Sequence, residues 1–206
     1  EVNIKSNFIN GLRVTDKDTI NIVEDVLIEF NKEIVEALYE LACKAKRITS
    51  KENNIITVIQ ENKDLGFVGT PTEINIELLT KTIKANEVPV VAPLGLNKEN
   101  QTFNINADTA AGSIAIELKA RRLMIISDVE GVLDSEKKLI PEINSKKANE
   151  LIDQEVISGG MIPKIKNCLD VASNGVKAVV IIDGRKNHSL LFELLSDKGS
   201  GTLIRE

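Results

Sequence analysis

Asn104-Ile105-Asn106-Ala107-Asp108-Thr109-Ala110-Ala111-Gly112 sets two amides and a carboxylate at alternating positions ahead of a run of small residues. Alternate side chains of an extended segment share a face, so Asn104 and Asn106 can point the same way. Asp108 suits a helix start, because its carboxylate can accept from the free N–H groups of a first turn. Three polar groups converging where a strand becomes a helix, with room left by Ala110, Ala111 and Gly112, match the place where open α/β sheets bind ligands. A capped helix after a polar turn explains the same residues without a ligand.

Three other stretches carry candidate chemistry. Arg13 stands just beyond an Asn10-Gly11 turn signal, where a guanidinium can make a forked pair with a carboxylate or phosphate, or an ordinary surface salt bridge. Ser127-Asp128-Val129-Glu130-Gly131-Val132-Leu133-Asp134 closes an apolar run, and polar groups at the carboxyl end of such a strand suit a nucleotide or metal-phosphate site. They serve equally as a loop with aspartate caps. In Val156-Ile157-Ser158-Gly159-Gly160-Met161-Ile162-Pro163-Lys164 a glycine pair precedes a helix whose first turn carries Lys164. That arrangement offers backbone N–H groups and one point charge to an anion, or is a loop with a solvated lysine. No G-x-x-x-x-G-K-[ST] phosphate loop occurs in the chain.

The elements that must position these groups follow from periodicity. Residues 16–41 repeat apolar side chains at steps of three and four (Ile20, Val23, Val26, Leu27, Phe30, Ile34, Val35, Leu38), with Thr15 or Asp16 as cap. That stripe reads as core or as a subunit contact. Ile55-Ile56-Thr57-Val58-Ile59 and Gly66-Phe67-Val68-Gly69 read as strands of a β-rich flap ended by Pro71. A helix over 73–85, a buried strand over 87–93 closed by Pro93 and Gly95, and a helix from Asp108 to Lys119 come next. Leu123-Met124-Ile125-Ile126-Ser127-Asp128, apolar on both faces, is expected as a central parallel strand. A helix over 143–154 capped near Asn144 or Ser145, one from Pro163 to Ser173, a buried strand at Ala178-Val179-Val180-Ile181-Ile182 leading into Asp183-Gly184-Arg185, a short helix over 189–195 and a closing strand complete the chain. Strands and helices alternate from residue 73 onward. The fold class expected is therefore α/β, a three-layer α/β/α sandwich with a mostly parallel central sheet plus a small β-hairpin flap.

Composition bounds the function. The 206 residues suffice for a sizeable core, 42% are hydrophobic, and the net charge of −5 argues against a nucleic-acid or anionic-membrane surface. Cys43 and Cys168 are too few for a disulfide framework, so a reducing compartment is expected. His188 is the only histidine and the cysteines lie far apart, so no metal site of the zinc type is expected. No apolar run approaches a membrane span of about 18 residues.

Taken together, Phe8-Ile9-Asn10-Gly11-Leu12-Arg13-Val14-Thr15, Asn104-Ile105-Asn106-Ala107-Asp108 and Ile157-Ser158-Gly159-Gly160-Met161-Ile162-Pro163-Lys164 resemble, in order and approximate spacing, the signatures of the N-acetylglutamate kinases of the amino-acid kinase superfamily. The resemblance covers nearly the whole chain. It implies ATP-dependent phosphorylation of the side-chain carboxylate of N-acetyl-L-glutamate, the second step of arginine biosynthesis, with ATP and Mg2+ as cofactors. Arg13 is then expected to hold a substrate carboxylate and Asn104 to bind the acetylglutamate. Asp108 is expected to organise the catalytic lysines and Lys164 to stabilise charge on the transferring phosphoryl group. Ser127, Asp128, Gly131, Leu133, Val156, Ile157 and Ser158 are expected to border the ATP. His188, Glu193, Gly199 and Gly201 resemble the effector site of arginine-inhibited members.

A single kinase domain over 1–206 is implied, with 1–100 the acetylglutamate-binding and dimerisation half and 101–206 the ATP half. A homodimer or a hexamer built as a trimer of dimers, a cytoplasmic location (plastid stroma in a photosynthetic eukaryote) and a possible PII signalling partner belong to the same expectation. A kinase acting on glutamate, aspartate, carbamate or a nucleotide, and a catalytically dead arginine-binding scaffold, are the alternatives. Three features of the family have no counterpart here. They are an amino-terminal strand with a catalytic lysine beside a glycine pair, a second glycine-rich loop, and a glycine-rich stretch after the helix ending near Leu41. The chain also opens on Glu1 rather than methionine, so segments of a complete enzyme are expected to lie outside these residues.

Overall fold

The computed structural model describes residues 7–9 and 12–206, which form two compact units, 1–114 and 115–206. The turn expected at Asn10-Gly11 lies outside the described residues. On either side of it, β1 (Phe8–Ile9) and β2 (Leu12–Arg13) pair antiparallel, with Ile9 opposite Leu12 and Phe8 opposite Arg13.

In the first unit α1 (Lys17–Glu40) begins where Asp16 accepts from the Thr19 N–H at 2.7 Å. Asp16, not Thr15, is the cap. Ile20, Asn31 and Val35 form the buried face of α1, while Ile22, Val26, Phe30 and Ile34, at steps of four, stay exposed on another. Asn31 Nδ2 donates to the Val90 carbonyl at 2.8 Å, tying the helix to the strand it covers. Parallel pairing joins β3 (Ala45–Ile48) to β6 (Val88–Val91). A second sheet runs in the order β5 (Gly69–Ile74), β4 (Ile56–Gln60), β7 (Leu94–Leu96), β8 (Thr102–Asn104). Glu24 knots α1 to this sheet. Its Oε1 accepts from Ser50 Oγ at 2.6 Å and from Thr102 Oγ1 at 2.8 Å, and Lys51 lies 3.4 Å from Oε2.

Several boundaries differ from those read off the sequence. Pro71 does not end the flap. It sits inside β5, an edge strand, opposite Val58 at a register shift, where a missing N–H costs no ladder bond. β5 extends to Ile74, so α2 (Ile76–Lys84) starts later than Glu73, capped by Asn75. Pairing with β4 outweighs the helical propensity of those residues. Gly95 lies within β7 rather than closing a strand, because an added Cβ there would meet Val58 Cγ1 at 2.6 Å. β6 is half-buried, with Val88 44% exposed, instead of fully buried. Finally, α3 (Ala107–Glu117) carries the division between the units, after Ile114.

In the second unit the sheet order is β10 (Glu142–Ile143), β12 (Thr202–Ile204), β11 (Val179–Asp183), β9 (Leu123–Ser127). β9 pairs parallel with β11 from Leu123 opposite Val179 to Ser127 opposite Asp183. It is the end strand of this sheet rather than a central one, and Ile126 is exposed. The buried strand is β11, every residue of which is enclosed. Against it packs α5 (Met161–Ser173), which buries Ile165, Cys168, Val171 and Ala172, while α4 (Ser145–Asp153), capped by Asn144 as expected, packs on α5 and β10. α6 (Ser189–Leu195) lies between β11 and β12 in the chain. Neither cysteine forms a disulfide among the described residues; Cys43 is half-buried and Cys168 buried. The α/β class expected from the alternation of elements is the one observed, with parallel pairing of β3 with β6, β4 with β7, β9 with β11 and β10 with β12.

Candidate active site

Arg13 ends β2, and its backbone carbonyl accepts the Thr15 hydroxyl at 3.1 Å. Asn104 ends β8, half-buried, and its Nδ2 donates to Thr15 Oγ1 at 3.4 Å. The two residues proposed for one ligand are thus joined through Thr15. Residues 65–67 close the junction from a third side. The Thr15 N–H donates to the Leu65 carbonyl at 2.9 Å, Phe67 N–H to the Thr15 carbonyl at 2.7 Å, and Asn104 N–H to the Phe67 carbonyl at 2.9 Å. Gly66 holds φ +70°, a left-handed value, and a Cβ there would collide with the Thr15 carbonyl oxygen. Phe67 and Phe103 pack at 5.5 Å between ring centres beside it.

After Asn104 the chain turns from strand to helix as its alternation requires. Ile105 is buried, while Asn106 is exposed. The helix cap is Asn106, whose Oδ1 accepts from the Thr109 N–H at 3.1 Å and the Thr109 hydroxyl at 3.4 Å. Asp108 is not the cap. It lies in the first turn, half-buried, where its charge faces the positive end of the helix dipole. Its carboxylate is therefore not spent on Thr109.

In the second unit Ser127 and Asp183 end two neighbouring parallel strands, so Ser127-Asp128 and Asp183-Gly184-Arg185 leave the same edge of the sheet. Gly184 N–H donates to the Ser127 carbonyl at 2.8 Å and clamps the two exits together. Asp128 and Glu130 are exposed, and Lys186 pairs with Glu130 at 3.0 Å. Asp183, with a side chain only 3% exposed, takes a forked pair from Arg185, Nε to Oδ1 at 2.9 Å and Nη2 to Oδ2 at 3.0 Å. The Arg185 hydrogen bonds hold that carboxyl down to about 2, against an ordinary 3.8. Gly131 is buried against Thr202, whose hydroxyl accepts from Val132 N–H at 2.8 Å and donates to the Ile140 carbonyl at 2.7 Å. Leu133 faces Leu139 across the resulting loop.

Val156 and Ile157 both donate backbone N–H to the Leu151 carbonyl, and Ile157 is buried in the same core that Val129 packs against. Ser158 is exposed. Beyond it, Gly159 and Gly160 have open space where a Cβ would stand. The N–H groups of Met161 and Ile162 are bonded to Ser158 and Gly159 at 3.2 Å each, so they are not idle donors. Lys164, half-buried, is in the first turn of α5 as expected.

Of the effector candidates, Glu193, Gly199 and Gly201 come together and His188 stands just ahead of α6, in a left-handed conformation with φ 62°. Glu193 accepts from the Ser200 N–H at 2.8 Å, and Arg122 approaches its Oε1 at 3.8 Å. Gly199 lies over the same carboxylate, and Gly201 is pressed onto the Ile181 carbonyl. Sequence reasoning did not single out Arg185 or Asp183 as site residues, and it weighed Thr15 only as a cap. A threonine two residues after a candidate ligand-binding arginine is the signal that was available.

Residues 1–183 match the amino acid kinase family, and the chain belongs to that family. An acetylglutamate kinase of Pelagibacter ubique is 93% identical over all 206 residues, which span 72% of that relative's length. Among solved structures, smu.665 of Streptococcus mutans superposes with a TM-score of 0.85 at 31% identity, over 98% of this chain and 78% of that one. An N-acetylglutamate synthase of Neisseria gonorrhoeae shares the fold, with a TM-score of 0.88 at 22% identity over 98% of this chain and 47% of its own.

Proposed function

We propose that this kinase transfers the terminal phosphoryl group of ATP to the side-chain carboxylate of N-acetyl-L-glutamate, yielding N-acetyl-L-glutamyl 5-phosphate and ADP in arginine biosynthesis. The observation that carries the reading is the 93% identity to an acetylglutamate kinase over all 206 residues. In the reaction a carboxylate oxygen bonds to the γ-phosphorus as the bond from that phosphorus to the β,γ-bridging oxygen breaks, and ADP leaves with the electron pair. The nucleophile is already ionised at neutral pH, so no general base is required. What opposes reaction is repulsion between two anions, which positioned cations and alignment overcome.

Arg13 and Asn104 hold the acceptor, the guanidinium taking the carboxylate left unreacted. Lys164 supplies positive charge to the transferring group, and Asp108 orients the cations around it. Ser127, Asp128, Gly131, Leu133, Val156, Ile157 and Ser158 border the nucleotide, a placement supported by their exit from the carboxyl edge of β9 and from the loop ahead of α5. Among the described residues no group of three His, Cys, Asp or Glu could cage a metal. Mg2+ would enter with the nucleotide and would neutralise part of the phosphate charge. Arginine is the proposed feedback inhibitor, at Glu193, Gly199 and Gly201 with His188 nearby. A homodimer or trimer of dimers is supported by the exposed stripe of α1. PII is a further candidate partner, and no partner nucleic acid or membrane is proposed. Among the described residues no helix is long and apolar enough to cross a membrane, and the cytoplasm is the proposed location.

Trapping the acyl phosphate with hydroxylamine tests the reading. The enzyme as its gene encodes it should form the hydroxamate from N-acetyl-L-glutamate and ATP, and only weakly from glutamate, aspartate or carbamate. A hydroxamate from free glutamate alone would overturn it.

A further inference from the structure

Thr15 has no exposed surface, and its hydroxyl makes two bonds inside the protein, donating to the Arg13 carbonyl and accepting from Asn104 Nδ2. A hydroxyl carries one proton and two lone pairs, so both bonds form at once. Its backbone is bonded on both sides to residues 65–67, and the Phe67 carbonyl in turn receives the Asn104 N–H. Thr15, Phe67 and Asn104 thus close a ring of hydrogen bonds, and the Arg13 carbonyl is tied to it through the Thr15 hydroxyl. The ring and its Arg13 attachment link the two residues assigned to the acceptor, and at position 66 only a glycine lets the segments meet so closely.

We propose that Thr15 is a positioning residue for acceptor binding: its hydroxyl fixes the rotamer of the Asn104 carboxamide and the backbone carrying Arg13, so that both address one ligand. The proposal rests on the function proposed above. A valine matches the shape of Thr15 without the hydroxyl, leaving Asn104 Nδ2 and the Arg13 carbonyl without that partner. Loss of the fixed orientation then weakens ground-state binding of the acceptor and leaves the phosphoryl-transfer charges untouched.

The test is a kinetic cycle on the full-length enzyme with Thr15→Val, Thr15→Ser, Asn104→Ala and the Thr15→Val/Asn104→Ala double variant, each checked by thermal melting. Thr15→Val should raise KM for N-acetyl-L-glutamate by about tenfold while KM for ATP and kcat move less than about twofold. Thr15→Ser should restore most of the loss. In the Asn104→Ala background Thr15→Val should add clearly less than it does alone, because only the Arg13 carbonyl is then left for the hydroxyl to hold. Additive losses, an equal rise in both KM values, or a serine no better than valine would overturn the proposal. If Thr15→Val does not fold, the wild type decides. Its Asn104 side-chain NH2 protons, read by 15N NMR, should exchange more slowly than those of the exposed Asn144, whose side chain serves only as an acceptor, and equal exchange overturns the proposal. That readout needs no turnover. A wild type forming no acetylglutamyl phosphate therefore refutes the functional reading, while the exchange rate still decides the Thr15 contact.

Discussion

Asp183 shows how one side chain shapes the carboxyl edge of β9 and β11, where the nucleotide is proposed to bind. Its carboxylate is enclosed, and the enclosure is tolerated because Arg185 meets both oxygens in a fork. The folded carboxyl titrates near 2 and the unfolded one near 3.8, so the pair's contribution is complete above the upper value and is lost as pH falls through the lower. Arg185→Ala should bring the Asp183 titration, followed by carboxyl NMR, up toward or past the ordinary value. It should also destabilise the protein at neutral pH more than at pH about 2, where much of the pair's contribution is already lost. An Asp183 still titrating near 2 in that variant would refute the stated cause. Lys51, whose ammonium is held up by Asp25 and then Glu24, is the opposite case: an exposed lysine whose ion pairs are weak in water.

At the scale of elements, α3 and α1 decide the most. The cap of α3 is Asn106, so Asn106→Ala should cost about 1 kcal/mol in urea unfolding. The cap is supplied two residues before Asp108, so capping does not depend on that carboxylate. In α1 the exposed apolar stripe at Ile22, Val26, Phe30 and Ile34 is a face the unit does not cover by itself. Under the proposed self-association, Val26→Glu with Phe30→Glu should shift the protein toward single-chain mass in sedimentation while changing chain stability by less than about 0.5 kcal/mol at these exposed positions. An unchanged oligomer would remove α1 from the interface.

Across the whole molecule, the residues assigned to the acceptor lie in the first unit and those assigned to the nucleotide lie in the second. The kinetic effects should separate along the same line. Arg13→Lys loses the forked geometry but keeps the charge, and should raise KM for N-acetyl-L-glutamate about tenfold with KM for ATP unmoved. Lys164→Ala should lower kcat by roughly 10²–10³ with small changes in either KM, as expected of charge supplied chiefly to the transition state. Steady-state kinetics with each substrate varied in turn checks both. A fall in ATP affinity with Arg13→Lys would mean that its assignment to the acceptor is wrong.

The sequence by itself determined the α/β class, most helices and buried strands, and the family, because periodicity and short motifs are local properties of the chain. Asn144 as a cap, Lys164 in a first turn and the buried run at 178–182 were legible for that reason. Tertiary structure alone decided the rest. Whether 73–74 extends a strand or starts a helix depends on β4 lying alongside. That β9 ends its sheet depends on which strands pair, and no stretch of residues states its neighbours. The joining of Arg13 to Asn104 spans some ninety positions of chain, and it rests on one hydroxyl at Thr15 and a glycine at 66. Such a contact is made by the closure of the fold, and no local pattern of residue types encodes it.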